Sequence, residues 1–136
     1  MRQRCETEIH ELHAFFTAWF NGDLADSDGI SARFESVMAP DVEMVTPGGG
    51  HLDRCCLVDD IRKAHGESAA TPVRIWIEKV SVRPVRPGIW LATYQEWQQA
   101  GGPARGRLST ALFEDNPSAP NGLLWRHIHE VWLPTS

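Results

Sequence analysis

The feature that most constrains this chain is a change of hydrophobic period at Thr71-Pro72, from helical spacing before it to strict alternation after it. Before that point, Ile9, Leu12, Phe16, Trp19 and Phe20 recur at helical spacing between Glu6 and Phe20, with Glu8, Glu11 and Thr17 off the stripe. Asn21-Gly22 stops this amphipathic helix, because glycine readily takes the left-handed conformation that closes one. Asp28 is placed to cap a shorter helix carrying Ile30, Phe34, Val37 and Met38, which Pro40 cannot extend. Asp41 to Thr46 reads as a short strand, and Leu57 to His65 as a third helix with Asp59 and Asp60 in its first turn and Gly66 after it.

Beyond Thr71-Pro72, Val73, Ile75 and Ile77 alternate with Arg74, Trp76 and Glu78 in a run that continues to about Val82. Further runs follow at Ile89 to Gln99, Arg107 to Glu114 and Leu123 to Leu133, separated by Pro- and Gly-rich turns. Four long strands joined by short turns predict an antiparallel meander. Helices in front and strands behind give an α+β fold, with N-terminal helices laid on one face of a curved antiparallel sheet. A length of 136 residues suits one domain, residues 1–136.

Composition narrows the partners. A net charge of −5 and an isoelectric point near 5.6 disfavour nucleic acid, which needs a basic patch. No apolar run reaches bilayer length and no signal-peptide order opens the chain, so the expectation is a soluble, cytoplasmic protein with no membrane partner. Cys5, Cys55 and Cys56 cannot all pair, and they read as reduced thiols. Six Trp against five Phe and one Tyr reverse the usual order and call for a core, pocket or interface to hold them.

Several local patterns bear on chemistry. Gly48-Gly49-Gly50 lacks the spacing of a phosphate-binding loop and reads as a turn. His10-Glu11-Leu12-His13 misses the zinc-protease helix, because its histidines stand three apart rather than four; His13 borders the apolar stripe. In the last strand, period two groups Trp125, His127, His129 and Val131 on one face and Arg126, Ile128, Glu130 and Trp132 on the other. Two histidines at i, i+2 also suit a metal, with Glu96 or His51 as further ligand, but the ligand count falls short. No metal and no cofactor are expected. Tyr94 and Glu96 share a strand face and pair a phenol donor with a carboxylate, the types that acid–base catalysis uses. His51 and Asp53 lie in the Gly-rich segment, where a mobile loop can carry function.

The element order, together with Thr93-Tyr94-Gln95-Glu96-Trp97, Arg107 to Phe113 and Gly122 to Glu130, resembles the nuclear transport factor 2-like superfamily, more narrowly its SnoaL-like and uncharacterised small members. The resemblance implies a cone, a bent sheet around a long N-terminal helix with a pocket between them, and a homodimer made through the outer sheet face. It implies a small, largely apolar ligand and acid–base chemistry of isomerase, dehydratase or cyclase type. Tyr94, Glu96 and His129 are then the catalytic candidates, and Phe16, Trp19, His51, Asp53, Trp76, Trp97 and His127 the ligand-binding ones. The alternative is a non-catalytic homodimerisation or protein-interaction module. The closing strand departs from the family pattern, with Val131 where many members have a second histidine.

Overall fold

A computed structural model describes residues 2–134. The elements run α1 (Arg2–Phe20), α2 (Asp28–Glu35), β1 (Met38–Val45), β2 (His51–Leu52), α3 (Arg54–Lys63), β3 (Arg74–Arg86), β4 (Ile89–Gln99), β5 (Arg105–Asp115) and β6 (Leu123–Trp132). The strands form one six-stranded sheet in the order β2-β1-β6-β5-β4-β3. Strands β3 to β6 make the expected antiparallel meander, but β1 joins β6 in parallel, so the sheet is mixed rather than wholly antiparallel. Such a pair needs a long connection, and the chain between β1 and β6 supplies it. None of the helices described is long and apolar enough to cross a membrane.

Helix α1 buries Cys5, Ile9, Leu12 and Trp19 on the stripe that its spacing draws, and it lies against β3 on the inner face of the sheet. Ser27 rather than Asp28 caps α2, its hydroxyl accepting from the Ile30 amide. Helix α3 starts three residues earlier than its apolar pattern suggests. Asp53 caps it, accepting from the Cys56 amide at 2.9 Å, and the polar first turn hides this start from a search for periodicity. Gly48-Gly49-Gly50 makes the β1–β2 turn, with Gly49 at a φ of +89° that only glycine takes freely.

Two irregularities shape the sheet. In β3 the register shifts between Glu78 and Ser81, where Lys79 takes a left-handed φ of 56°; a bulge of this kind bends its strand. In β6, Phe113 pairs with Trp125 while the neighbouring Leu112 pairs with His127, so Arg126 is the extra residue of a second bulge. The second bulge reverses side-chain parity. Trp125 is buried together with Ile128 and Glu130, and the sequence-based grouping of Trp125 with His127 and His129 is corrected accordingly.

Candidate functional site

Alternation along β4 turns Ala92, Tyr94 and Glu96 inward toward α1, and the same parity on β5 turns Ser109, Ala111 and Phe113 inward. Past its bulge, β6 adds Ile128 and Glu130. Between this face and the helices lies a half-open cleft of about 280 Å³. Phe16 and Phe20 of α1, Phe34 of α2, Leu57 and Ile61 of α3, and Ile75 of β3 supply apolar walls; Glu96, Gln98, Arg107 and Glu130 supply a polar row. The rings of Phe16 and Phe20 are nearly parallel, 8° apart in plane with centroids 5.7 Å apart.

Two ion pairs organise the polar row. His13 Nδ1 lies 2.7 Å from the Ile9 carbonyl and His13 Nε2 lies 2.9 Å from Glu96 Oε1, so the ring faces an acceptor on each side. A ring that donates from both nitrogens is an imidazolium. Burial pushes the His13 pKa down, but the Glu96 charge and the hydrogen bonds to Glu96 and Ile9 outweigh it and leave the pKa raised. Burial likewise opposes charge on Glu96, yet His13, Arg107 and the Gln98 amide hold its carboxyl well below the usual range. Gln98 Nε2 donates to Glu96 Oε2 at 2.6 Å.

The second pair is Arg107 and Glu130. Arg107 Nη1 donates to Glu130 Oε1 at 2.9 Å and the Ser109 hydroxyl donates to Oε2 at 2.8 Å. Burial first, and then the Glu96 charge, raise the Glu130 pKa against the pull of Arg107 and Ser109. Two carboxyl groups in one site thus have their pKa values driven apart, that of Glu96 down and that of Glu130 up. Tyr94, packed beside them, has its phenol pKa pushed well above the ordinary value by burial and by both carboxylates.

Of the residues singled out from sequence, Phe16, Tyr94 and Glu96 line this cleft, together with His13 from the border of the helical stripe and Trp125, Ile128 and Glu130 of the last strand. The others stand elsewhere. Trp19 is buried with its indole donating to the Ile61 carbonyl and its ring stacked on Phe15. Trp76 and Trp97 face each other across β3 and β4 on the opposite side of the sheet, their rings stacked at 6.3 Å. His127 and His129 lie on that outer side too, paired in register with Glu43 and Val45 of β1. A metal shared by His127, His129 and Glu96 has no geometric basis, because the sheet separates them. His51 is exposed at the β1–β2 pairing, and Asp53 is committed to capping α3. Gln98 and Arg107 were missed as site residues, although the alternation through Tyr94, Glu96 and Ser109, Ala111 points to both.

Comparison with known proteins places both fold and family. An NTF-2 like protein of unknown function from Pseudomonas aeruginosa superposes with a TM-score of 0.83 at 27% identity, covering 96% of this chain and 99% of that one. A Caulobacter vibrioides protein with a cystatin-like fold gives 0.64 at 19% identity, covering 90% and 84%. The chain is a nuclear transport factor 2-like protein, as its element order and strand motifs suggest. Among curated proteins, sucrose-phosphatase 1 of Nicotiana tabacum is 28% identical over 129 residues and sucrose-phosphatase 2 of the same plant 27% over 127. Each match covers 93% of this chain and 30% of the relative, so the chain spans under a third of those proteins.

These relatives overturn the functional expectation. An uncharacterised member with isomerase, dehydratase or cyclase chemistry on an apolar ligand does not describe a chain whose similarity runs to sucrose-phosphatases. The strand motifs that suggested such members are structural, and a fold of this kind carries many chemistries. Residues 5–134 match the sequence family described as sucrose-6-phosphate phosphohydrolase C-terminal, and the chain belongs to that family.

Proposed function

We propose that the chain serves a sucrose-phosphatase reaction by holding the sugar portion of substrate or product in the inner cleft. The observation that carries this reading is the row Glu96, Gln98, Arg107 and Glu130 along an otherwise apolar cleft, in a chain of this family. Sugar hydroxyls both donate and accept, and this row offers carboxylate acceptors beside amide and guanidinium donors. The C–H faces of a sugar ring are apolar and suit the near-parallel rings of Phe16 and Phe20. Orientation by a few polar groups within apolar walls is the usual design of a small-molecule site.

Phosphoryl transfer is assigned in this reading to the part of such proteins that the chain does not match. That chemistry depends on cations clamped around the transferring oxygens. Here His13 and Arg107 each already face a carboxylate at 2.9 Å.

Calorimetric titration with sucrose tests the reading, with thermal unfolding as a second readout, since a ligand that binds only the folded state raises its melting temperature. Saturable binding that weakens in Gln98→Ala and in Arg107→Met, both checked for folding by circular dichroism, is expected. Heats and melting temperatures indifferent to sucrose contradict it.

A further inference from the structure

We propose that the cleft selects the uncharged disaccharide over its phosphate ester, with Glu130 as the residue that sets this preference, so that the site retains the product of dephosphorylation rather than its substrate. The inference rests on the sugar-holding reading above and adds the charge state of the occupant.

Three features of the cleft act against an anion. The first is its ion pairing. Glu130 is 2% exposed and Glu96 6%, and the cations beside them, Arg107 and His13, are each engaged at 2.9 Å. A phosphate monoester carries a charge of about −1.5 to −2 at neutral pH and would add it to a site in which each cation already faces a carboxyl group, with the Arg107 Nε–H as an unpartnered donor. Among the described residues, His13 and Arg107 are the only cationic side chains of the cleft lining, and Arg105 lies over the Trp132 ring at 3.6 Å.

The second feature is helix polarity. Phe16 and Phe20 come from the last two turns of α1, which ends at Phe20, and Phe34 comes from the last turn of α2, which ends at Glu35. Both helices therefore bring their C-terminal, partially negative ends toward the cleft. Helix α3 contributes Leu57 from the end of its first turn and Ile61 from beyond it. The Cys56 and Leu57 amides are already bonded to Asp53, and neither Asp53 nor the first three residues of the helix line the cleft, so its N-terminus does not supply the amide donors on which phosphates commonly rest.

The third is desolvation. Outside the polar row the walls are mostly aliphatic, methionine and aromatic side chains, which return nothing for the hydration a phosphoryl group gives up. A hydroxyl at the same position gives up far less and is served by either partner of the Arg107–Glu130 pair. Glu130 is held in place, the Ser109 hydroxyl and Arg107 fixing both its oxygens, and it cannot swing away from an incoming anion.

The test compares three ligands by calorimetry on the folded chain: sucrose, sucrose 6-phosphate, and sucrose 6-acetate as an uncharged derivative that also carries bulk at the 6 position. Sucrose and the acetate are expected to bind comparably and the phosphate about tenfold or more weakly, which is roughly 1.4 kcal/mol. Glu130→Gln, which keeps size and one acceptor, is expected to narrow the ratio of sucrose to phosphate. Equal or tighter binding of the phosphate overturns the inference and leaves the sugar-holding reading standing. Loss of both the acetate and the phosphate assigns the preference to size and overturns the role of Glu130 without any variant. Failure of all three ligands overturns the sugar-holding reading itself.

Discussion

Replacing His13 with leucine leaves the Glu96 carboxylate buried without its cation, and the consequence is calculable. Breaking a buried ion pair from one side typically costs about 3–5 kcal/mol. Glu96 has one escape, which is to bind a proton. From the ordinary carboxyl value of 4.5, neutralising it at pH 7 costs about 3.4 kcal/mol at roughly 1.4 kcal/mol per pH unit. The protein takes the cheaper course, so His13→Leu is expected to lose about 3 kcal/mol at pH 7.

In a chain of this size that is a fall in melting temperature of roughly 10 °C. Near pH 5 the escape is cheap, and the loss shrinks below about 1 kcal/mol. Glu96→Leu behaves in the opposite way. The stranded His13 sheds its proton easily at pH 7, where its ordinary value is 6.5, but at pH 5 this costs about 2 kcal/mol.

The order of severity therefore reverses with pH, with His13→Leu worse at pH 7 and Glu96→Leu worse at pH 5. In the unmodified protein, the raised His13 pKa gives stability that is complete below 6.5 and lost as pH rises through the folded value. The lowered Glu96 pKa gives stability present above 4.5 and lost as pH falls through the folded value. The pair thus stabilises most between those limits. Urea unfolding of both single variants and the double Leu variant, at both pH values, measures this directly. A cost for His13→Leu under about 1 kcal/mol at pH 7, no reversal, or a double variant that loses the sum of the singles would refute the reasoning.

Other consequences lie outside the cleft. Glu8, fully buried, accepts from Arg33, Asn121 and Trp125, so Glu8→Ala strands three donors and is expected to cost about 3–5 kcal/mol in urea unfolding. A Cβ at Gly106 meets Leu133 at 2.8 Å and the Trp97 ring at 2.9 Å, and Gly106→Ala should destabilise by about 1–3 kcal/mol and perturb near-ultraviolet circular dichroism. Cys55 and Cys56 are exposed, whereas burial pushes the Cys5 thiol up to about 11. A thiol reagent at pH 8 should titrate two cysteines quickly and the third only in denaturant.

Much of the fold is legible in sequence because its long strands end at strong breakers: Pro87-Gly88 and Gly101-Gly102-Pro103 bound β4, and Asn121-Gly122 precedes β6. The bulge at Arg126 is not legible. The pull on that residue comes from Asp41 and Glu114, on β1 and β5, and no local pattern announces it. One extra residue moved Trp125 and Glu130 to the same face and turned His127 and His129 away from the cleft, so a reading by strict alternation groups them wrongly. The parallel pairing of β1 with β6 is hidden for a related reason, since it joins residues as far apart in sequence as Met38 and Trp125 through a strand containing Pro40.

Within the site, alternation finds Tyr94 and Glu96 and helical spacing finds Phe16. His13 shows only as a residue at the border of the stripe, because the charge that makes it acceptable in the interior sits on Glu96, in another element. Chemistry was the least legible part. Residues that set a sheet's shape do not report the ligand, and only similarity to the sucrose-phosphatases redirected that reading.

The central claim, that the inner cleft holds a sugar, is tested most directly by titrating sucrose into isotopically labelled protein and mapping the shifted resonances. The account predicts shifts concentrated on Phe16, Gln98, Arg107 and Glu130, around the cleft and its polar row. Shifts confined to the outer face at Trp76, Trp97 and His129, or a spectrum unchanged at saturating sucrose, contradict it.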